Sequence, residues 1–185
     1  MARPRKKRVS KAEWLAAALD ELEGGGVDAV RIERLARKLG VAKSGFYWHF
    51  RDRRDLLRDL LHYWEHEYTG VIAENPEVSA LEPKERLLRT AELVFDHALS
   101  RYDLAMLSWA AHDEAAADAV SGVHHKRLSF VRRAFRELGF RGVELEMRVR
   151  LFVAYASWEQ TMFWWESRPS LRRGIKRRIE LLTRR

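Results

Sequence analysis

From Ser10 onward, apolar residues return every three or four positions in one segment after another, and strict alternation is rare. That period predicts helices rather than strands. Leu15, Ala18, Leu19 and Leu22 form the first stripe, with Ser10 and Glu13 at capping-box spacing before it and "EGGGVDA" after it. Ile32, Leu35, Ala36 and Leu39 predict a short helix over about 31–39, stopped by Gly40. Another is expected from about Ala42. A longer one opens at Asp52 with Asp55 and carries Leu56, Leu57, Leu60, Leu61, Trp64 and Tyr68. "AENPEVSALEP" reads as a loop and a module boundary, and helices are expected beyond it near 83–100, 103–112, 115–138 and 143–167. A basic amphipathic helix near 170–183 closes the chain. The fold class is therefore all-α, with no internal repeat.

Composition narrows the function classes. The 185 residues hold no cysteine, which removes disulfide scaffolds, thiolate zinc sites and cysteine nucleophiles together. No charged patch leads into an apolar signal run, and the longest apolar stretch, Leu151 to Trp165, is too short for a membrane span and contains Glu159 and Gln160. A cytoplasmic protein with no membrane partner is expected. The net charge of +8 is unevenly spread. Residues 1–60 hold fifteen Lys/Arg against nine Asp/Glu, the middle is acidic, and residues 167–185 hold eight against one. Basic ends fit a polyanion, because neutralised phosphates release their counterions. A merely solvated face has the same charge pattern.

The segment "KLGVAKSGFYWHF", Lys38 to Phe50, decides between them. Two short helices joined by a tight glycine turn make a helix-turn-helix, whose second helix enters a major groove about 12 Å wide. Lys43, Ser44 and Gly45 are the small or flexible leading residues such a probe needs. Tyr47 and His49 carry polar ends on rigid rings, suited to phosphate oxygens. Phe46 and Phe50 read as wedges that hold the helix in place. Trp48 fits either a groove-edge contact or partly exposed packing.

"DAVRIERLARKLGVAKSGFYWHFRDRRDLL" resembles the DNA-binding domain of TetR-type (tetracycline-repressor-like) transcriptional regulators, with Leu35-Ala36, Gly40-Val41, Phe46-Tyr47, His49-Phe50 and Leu56-Leu57 in register. The helical remainder, with "SWAAHD" and "RLSFVRRAFRELGF", is similar to the ligand-binding and dimerisation half of that family. The resemblance implies a basic arm over 1–9, a DNA-binding domain over 10–57, and a helical effector-binding and dimerisation domain over 58–185. It puts Lys43, Ser44 and Gly45 at base-reading and groove-edge positions, Tyr47 and His49 at phosphate contacts, and Arg53 at the phosphate-binding cation opening the fourth helix. Arg31 and Ala42 stand where Ser or Thr is frequent, which exchanges a cap for a longer cation at one place and removes a helix cap at the other. Gly45 also replaces a frequent Ser or Thr. The operator sequence therefore does not transfer from a relative. The arm residues Arg3, Arg5, Lys6, Lys7 and Arg8 fit the DNA backbone or a minor groove, and equally a solubilising tail.

"HYWEH", His62 to His66, matches the inverted zincin motif, but the two histidines lie opposite the leucine stripe and no third ligand is evident. Surface histidines are expected, with no metal and no cofactor. The helix near 143–167 is apolar almost all round after Leu151, which calls for a neighbour beyond its own core. Two-fold pairing, as the family is similar in using, supplies one and makes the protein a homodimer. Phe95, Tyr102, Met106, Trp109, His112, Tyr155, Trp158, Glu159 and Met162 are the candidates for lining an effector pocket. Plain core packing is the alternative for the aromatic ones. Glu159 and Gln160 suit a polar or cationic effector, or a buried pairing with an arginine such as Arg148 or Arg150.

No catalytic constellation survives, so a non-enzyme is expected: a homodimeric repressor that leaves a palindromic double-stranded DNA operator when a small molecule binds. The rivals are a sequence-tolerant DNA-binding protein without an effector, and a membrane-surface or protein-interaction module. The last would use the basic helix of Leu171, Ile175, Ile179 and Leu182.

Overall fold

The computed structural model describes residues 8–184, and among them every regular element is helical. The α-helices are α1 (Lys11–Gly25), α2 (Ile32–Leu39), α3 (Arg53–Glu65), α4 (Val71–Ala73), α5 (Pro76–Ala80), α6 (Pro83–Asp96), α7 (Asp103–Ala110), α8 (Glu114–Glu137), α9 (Gly142–Met162) and α10 (Arg168–Thr183). Two compact units emerge: the residues through Trp64 with Leu104–Val120, and Glu65–Asp103 with the residues from Ser121 onward.

In the first unit the caps follow from the sequence. Ser10 Oγ accepts the Glu13 amide at 3.2 Å, while the Glu13 carboxylate accepts the Ser10 amide at 2.7 Å. Asp52 accepts the Asp55 amide at 2.8 Å and Asp55 reaches back to the Arg51 amide at 2.9 Å, so α3 starts with a reciprocal cap of the same kind. Gly40 ends α2 at φ 68°, ψ 34°, a left-handed conformation that glycine adopts without a Cβ clash. Trp14, Trp64, Phe46, Phe50, Leu19, Leu22, Leu35, Leu56, Leu60 and Met106 are the largest fully buried side chains of this unit. Burying each contributes roughly 1.5–3 kcal/mol. The helix expected from Ala42 is a 3₁₀ helix, Lys43–Trp48, rather than an α-helix. Ala42 offers no side-chain cap, and the Gly45 amide closes a tight turn on the Ala42 carbonyl at 2.9 Å.

In the second unit a π-helical turn, His66–Gly70, precedes α4. The segment read as a loop contains α5, because Asn75 caps the amides of Glu77 and Val78 and Pro76 occupies the first helical position. The helix expected over 83–100 stops at Asp96, where Ala98 takes φ 50° and the Leu99 amide returns to the Val94 carbonyl. The core gathers Leu87, Phe130, Phe135, Phe140, Val149, Phe152 and Ile179, and Phe95, Leu171 and Ile175 form a second cluster. The apolar stripe of α10 is thus interior and packs chiefly against α6. That removes the face which the membrane-surface reading required. Among the described residues no helix is long and apolar enough to cross a membrane.

Candidate nucleic-acid interface and ligand cavities

The 3₁₀ helix is anchored from beneath and bare on top. Phe46 is fully buried, edge-on to Trp14 at 5.5 Å, and Phe50 lies 5.0 Å from it between ring centres. The next residues point outward: Tyr47 is 61% and Trp48 83% exposed, and Lys43 and Ser44 are exposed as well. This disposes of partial packing for Trp48, whose ring is offered to solvent. A Cβ built on Gly45 would meet Trp14 at 3.9 Å, an ordinary contact, so packing does not require glycine there. Ala42 is exposed at the N-terminal edge of the same turn.

Four polar residues proposed for DNA contact already hold protein groups. Lys43 Nζ donates to Glu33 Oε1 at 2.7 Å, and this hydrogen bond holds the Glu33 carboxyl below its ordinary range. His49 Nε2 lies 2.8 Å from the Val9 carbonyl oxygen, which only accepts, so that nitrogen carries the proton. Arg53 donates from Nε to the Val30 carbonyl at 2.7 Å and from Nη2 to the Val27 carbonyl at 2.5 Å. Arg31 donates to the Asp28 carbonyl at 2.9 Å. These bonds tie the turn before α2, and the strand of chain before α1, to the helix-turn-helix. Of the basic arm, Arg8 is exposed; Arg3, Arg5, Lys6 and Lys7 lie outside the described residues. Arg51 and Arg54, both exposed at the start of α3, add cations that the sequence reading passed over. Their place just after the aromatic run was the available signal.

His62 and His66 are both exposed, and no cluster of three or more His, Cys, Asp or Glu able to hold a metal occurs among the described residues.

Two of the cavities in the second unit have predominantly apolar walls and bear on the proposed pocket. The larger, about 200 Å³, is lined by Phe95, Tyr155 and Glu159 of the proposed pocket, together with Gln160, Ile175 and Arg178. Arg178 Nη2 donates to Glu159 Oε2 at 2.5 Å and the guanidinium stacks over Tyr155 at 4.3 Å. The partner of Glu159 is thus Arg178 and not Arg148, which binds Glu144 and the Leu182 carbonyl. Gln160 donates to the Phe95 carbonyl at 3.0 Å. The smaller cavity, about 50 Å³, has Thr69, Ser100, Ser157 and Arg127 among its lining residues. Arg127 pairs with buried Asp103 through two hydrogen bonds of 2.5 and 3.1 Å. Tyr102 is buried with its ring edge-on to Tyr68, which lines the smaller cavity. Trp158 is half-buried, Met162 and His112 are exposed, and Met106 and Trp109 are buried within the first unit; none of these five lines either cavity. Sequence reasoning missed Arg178, although its place between Ile175, Ile179 and Leu182 on one helical stripe was a legible signal. Asp103 and Arg127 carried none.

The chain thus combines a helical unit carrying a buried-anchor helix-turn-helix with a second all-helical unit that holds the cavities. Residues 15–60 match the family of bacterial regulatory proteins, tetR family. The tetracycline repressor protein class A from transposon 1721 of Escherichia coli is 49% identical over 46 residues, which are 25% of this chain and 21% of that protein. The class D tetracycline repressor of Escherichia coli is 31% identical over 98 residues, 51% of this chain and 42% of its own. The chain therefore spans less than half the length of these curated relatives. Among solved structures, a transcriptional regulator from Saccharomonospora viridis in complex with choline superposes with a TM-score of 0.74 at 17% identity, over 92% of this chain and 95% of that one. The regulator FadR from Bacillus subtilis in complex with stearoyl-CoA gives 0.67 at 15% identity, over 94% and 98%. At these identities the likeness is one of fold. Residues 15–60 thus match a tetR-family regulatory domain, and the chain as a whole shares the fold of solved TetR-type transcriptional regulators.

Proposed function

We propose that the protein is a homodimeric, sequence-specific DNA-binding repressor, released from a palindromic operator by a small molecule bound in its second unit. The observation that carries the DNA reading is the 3₁₀ helix: Phe46 and Phe50 are locked in the core while Lys43, Ser44, Tyr47 and Trp48 stand free of it. A reader fixed from below loses little side-chain freedom when it enters a groove, and its exposed face carries both a cation and ring-borne polar ends. Dimerisation is supported by Val143, Met147, Leu151 and Tyr155 on α9, exposed apolar residues spaced by four that form a single ridge. Two such ridges packed about a two-fold axis would present paired readers to half-sites about 34–36 Å apart or a multiple of that. The effector reading is supported by the cavities of the second unit. Proteins of the same fold were crystallised with choline and with stearoyl-CoA.

Selection of bound DNA from a random library tests the reading. The expected result is an enriched inverted repeat, with a specificity ratio of about 10³ or more over random DNA. Recovery of no preferred sequence would replace this reading with that of a sequence-tolerant DNA-binding protein.

A further inference from the structure

The polar end of the larger cavity holds a group that the protein leaves unsatisfied. Glu159 is 5% exposed; its Oε2 binds Arg178, while its Oε1 is buried without a hydrogen-bond partner. A buried carboxylate oxygen left unmatched costs free energy unless something donates to it. Around it the cavity wall is apolar: Ala91, Leu151, Phe152, Ile175 and Ile179. The Arg178 guanidinium folds back over Gly174, where a Cβ would make the arginine shift. The carboxylate, part of the cavity lining, is thus held from one side, while its second oxygen is shut off from solvent with no donor.

Resting on the effector reading above, we infer that this cavity takes an uncharged apolar molecule bearing one hydrogen-bond donor, an alcohol or phenol, whose hydroxyl donates to Glu159 Oε1. Charge sets the class. Glu159 and Arg178 neutralise one another, so a ligand ion would bring a net charge into an apolar site, which is costly. The helix carrying Arg178 also carries exposed Arg172, Arg173, Lys176 and Arg177, a field that opposes a cation. Size sets the scale: a dry cavity of about 150 Å³ accommodates benzene, and 200 Å³ leaves room for a ring with a short chain.

Isothermal titration of the full chain with 3-phenylpropanol, its methyl ether and 3-phenylpropylamine tests this. The alcohol should bind about tenfold or more tightly than the ether, the expected value of a hydrogen bond to a charged group. It should also bind more tightly than the ammonium. Glu159→Gln, checked for folding by circular dichroism, turns an amide donor toward the cavity and should erase the preference for alcohol over ether. The comparison of probes on the unaltered chain stands without that variant. Equal binding of alcohol and ether, tighter binding of the amine, or no binding of any probe would each overturn the assignment. The same alcohol added to the selected DNA complex separates the two readings. Binding that leaves DNA affinity unchanged upholds the cavity and overturns the effector role, whereas absent binding overturns the cavity assignment alone.

Discussion

Lys43, proposed to meet a base edge, already donates to Glu33, so on that proposal DNA competes with a carboxylate for one ammonium. Replacing Glu33 with glutamine keeps the shape and removes the charge. It should tighten operator binding severalfold at low salt, with the gain shrinking as salt screens the lost repulsion; an unchanged affinity in salt-titrated binding would show that Lys43 does not face DNA. Arg53 behaves differently. It donates to two backbone carbonyls that precede α2, so Arg53→Ala should cost about 1–3 kcal/mol of folding stability in denaturant titration as well as affinity. Tyr47→Phe, at a largely exposed ring, should lower affinity with no stability change. Ala98 is the other residue with a legible energetic sign. Its φ of 50° costs an L-residue roughly 1–2 kcal/mol, against roughly 0.5–1 kcal/mol for the extra freedom of an unfolded glycine. Ala98→Gly should therefore raise the unfolding free energy by about 0.5–1 kcal/mol, and a decrease would mean that the Ala98 methyl makes packing contacts worth more than the strain.

At the scale of elements, the apolar period and the caps told most of the story. Ser10, Asp52 and Gly40 begin or end helices where their chemistry requires, and the stripes of α1 and α3 are buried almost residue for residue. The departures share one cause: local tightness that a 3.6-residue period does not encode. The 3₁₀ form of 43–48, the π turn at 66–70 and the early stop at Asp96 are all set by backbone closure within a few residues. Cation–carboxylate ties between elements were equally invisible. Arg132 of α8 holds Glu146 of α9 at 2.8 Å, and Lys126 of α8 bridges Glu65 and Glu74 at 2.9 and 2.8 Å. The arginine and lysine hydrogen bonds hold the Glu146 and Glu74 carboxyls below their ordinary value of 4.5. A depressed folded-state pKa gives stability that is complete above 4.5 and is lost as pH falls through the lowered value. Thermal melts should thus fall steadily below about pH 4.5, and Glu146→Gln together with Glu74→Gln should flatten that slope. A slope unaffected by the double variant would move the acid sensitivity elsewhere.

For the whole molecule, the ridge of α9 and the cavity share a surface. Leu151 and Tyr155 belong to the exposed apolar ridge and also line the cavity, as does Leu181, itself 69% exposed. In a dimer built on that ridge, the second copy covers the cavity mouth. Coupling between two binding events is reciprocal: if the partner tightens the ligand, the ligand tightens the partner by the same factor. Met147 separates the two roles, because it is on the ridge and lines neither cavity. Met147→Glu sets two like charges against each other near the two-fold axis and should convert the dimer to a monomer in light scattering. The monomer should bind 3-phenylpropanol more weakly than the dimer does. In turn, saturating alcohol should lower the dimer dissociation constant of the unaltered chain by the same ratio in analytical ultracentrifugation. Equal ligand affinity in monomer and dimer would separate the cavity from the interface and leave release from DNA to a change within one protomer.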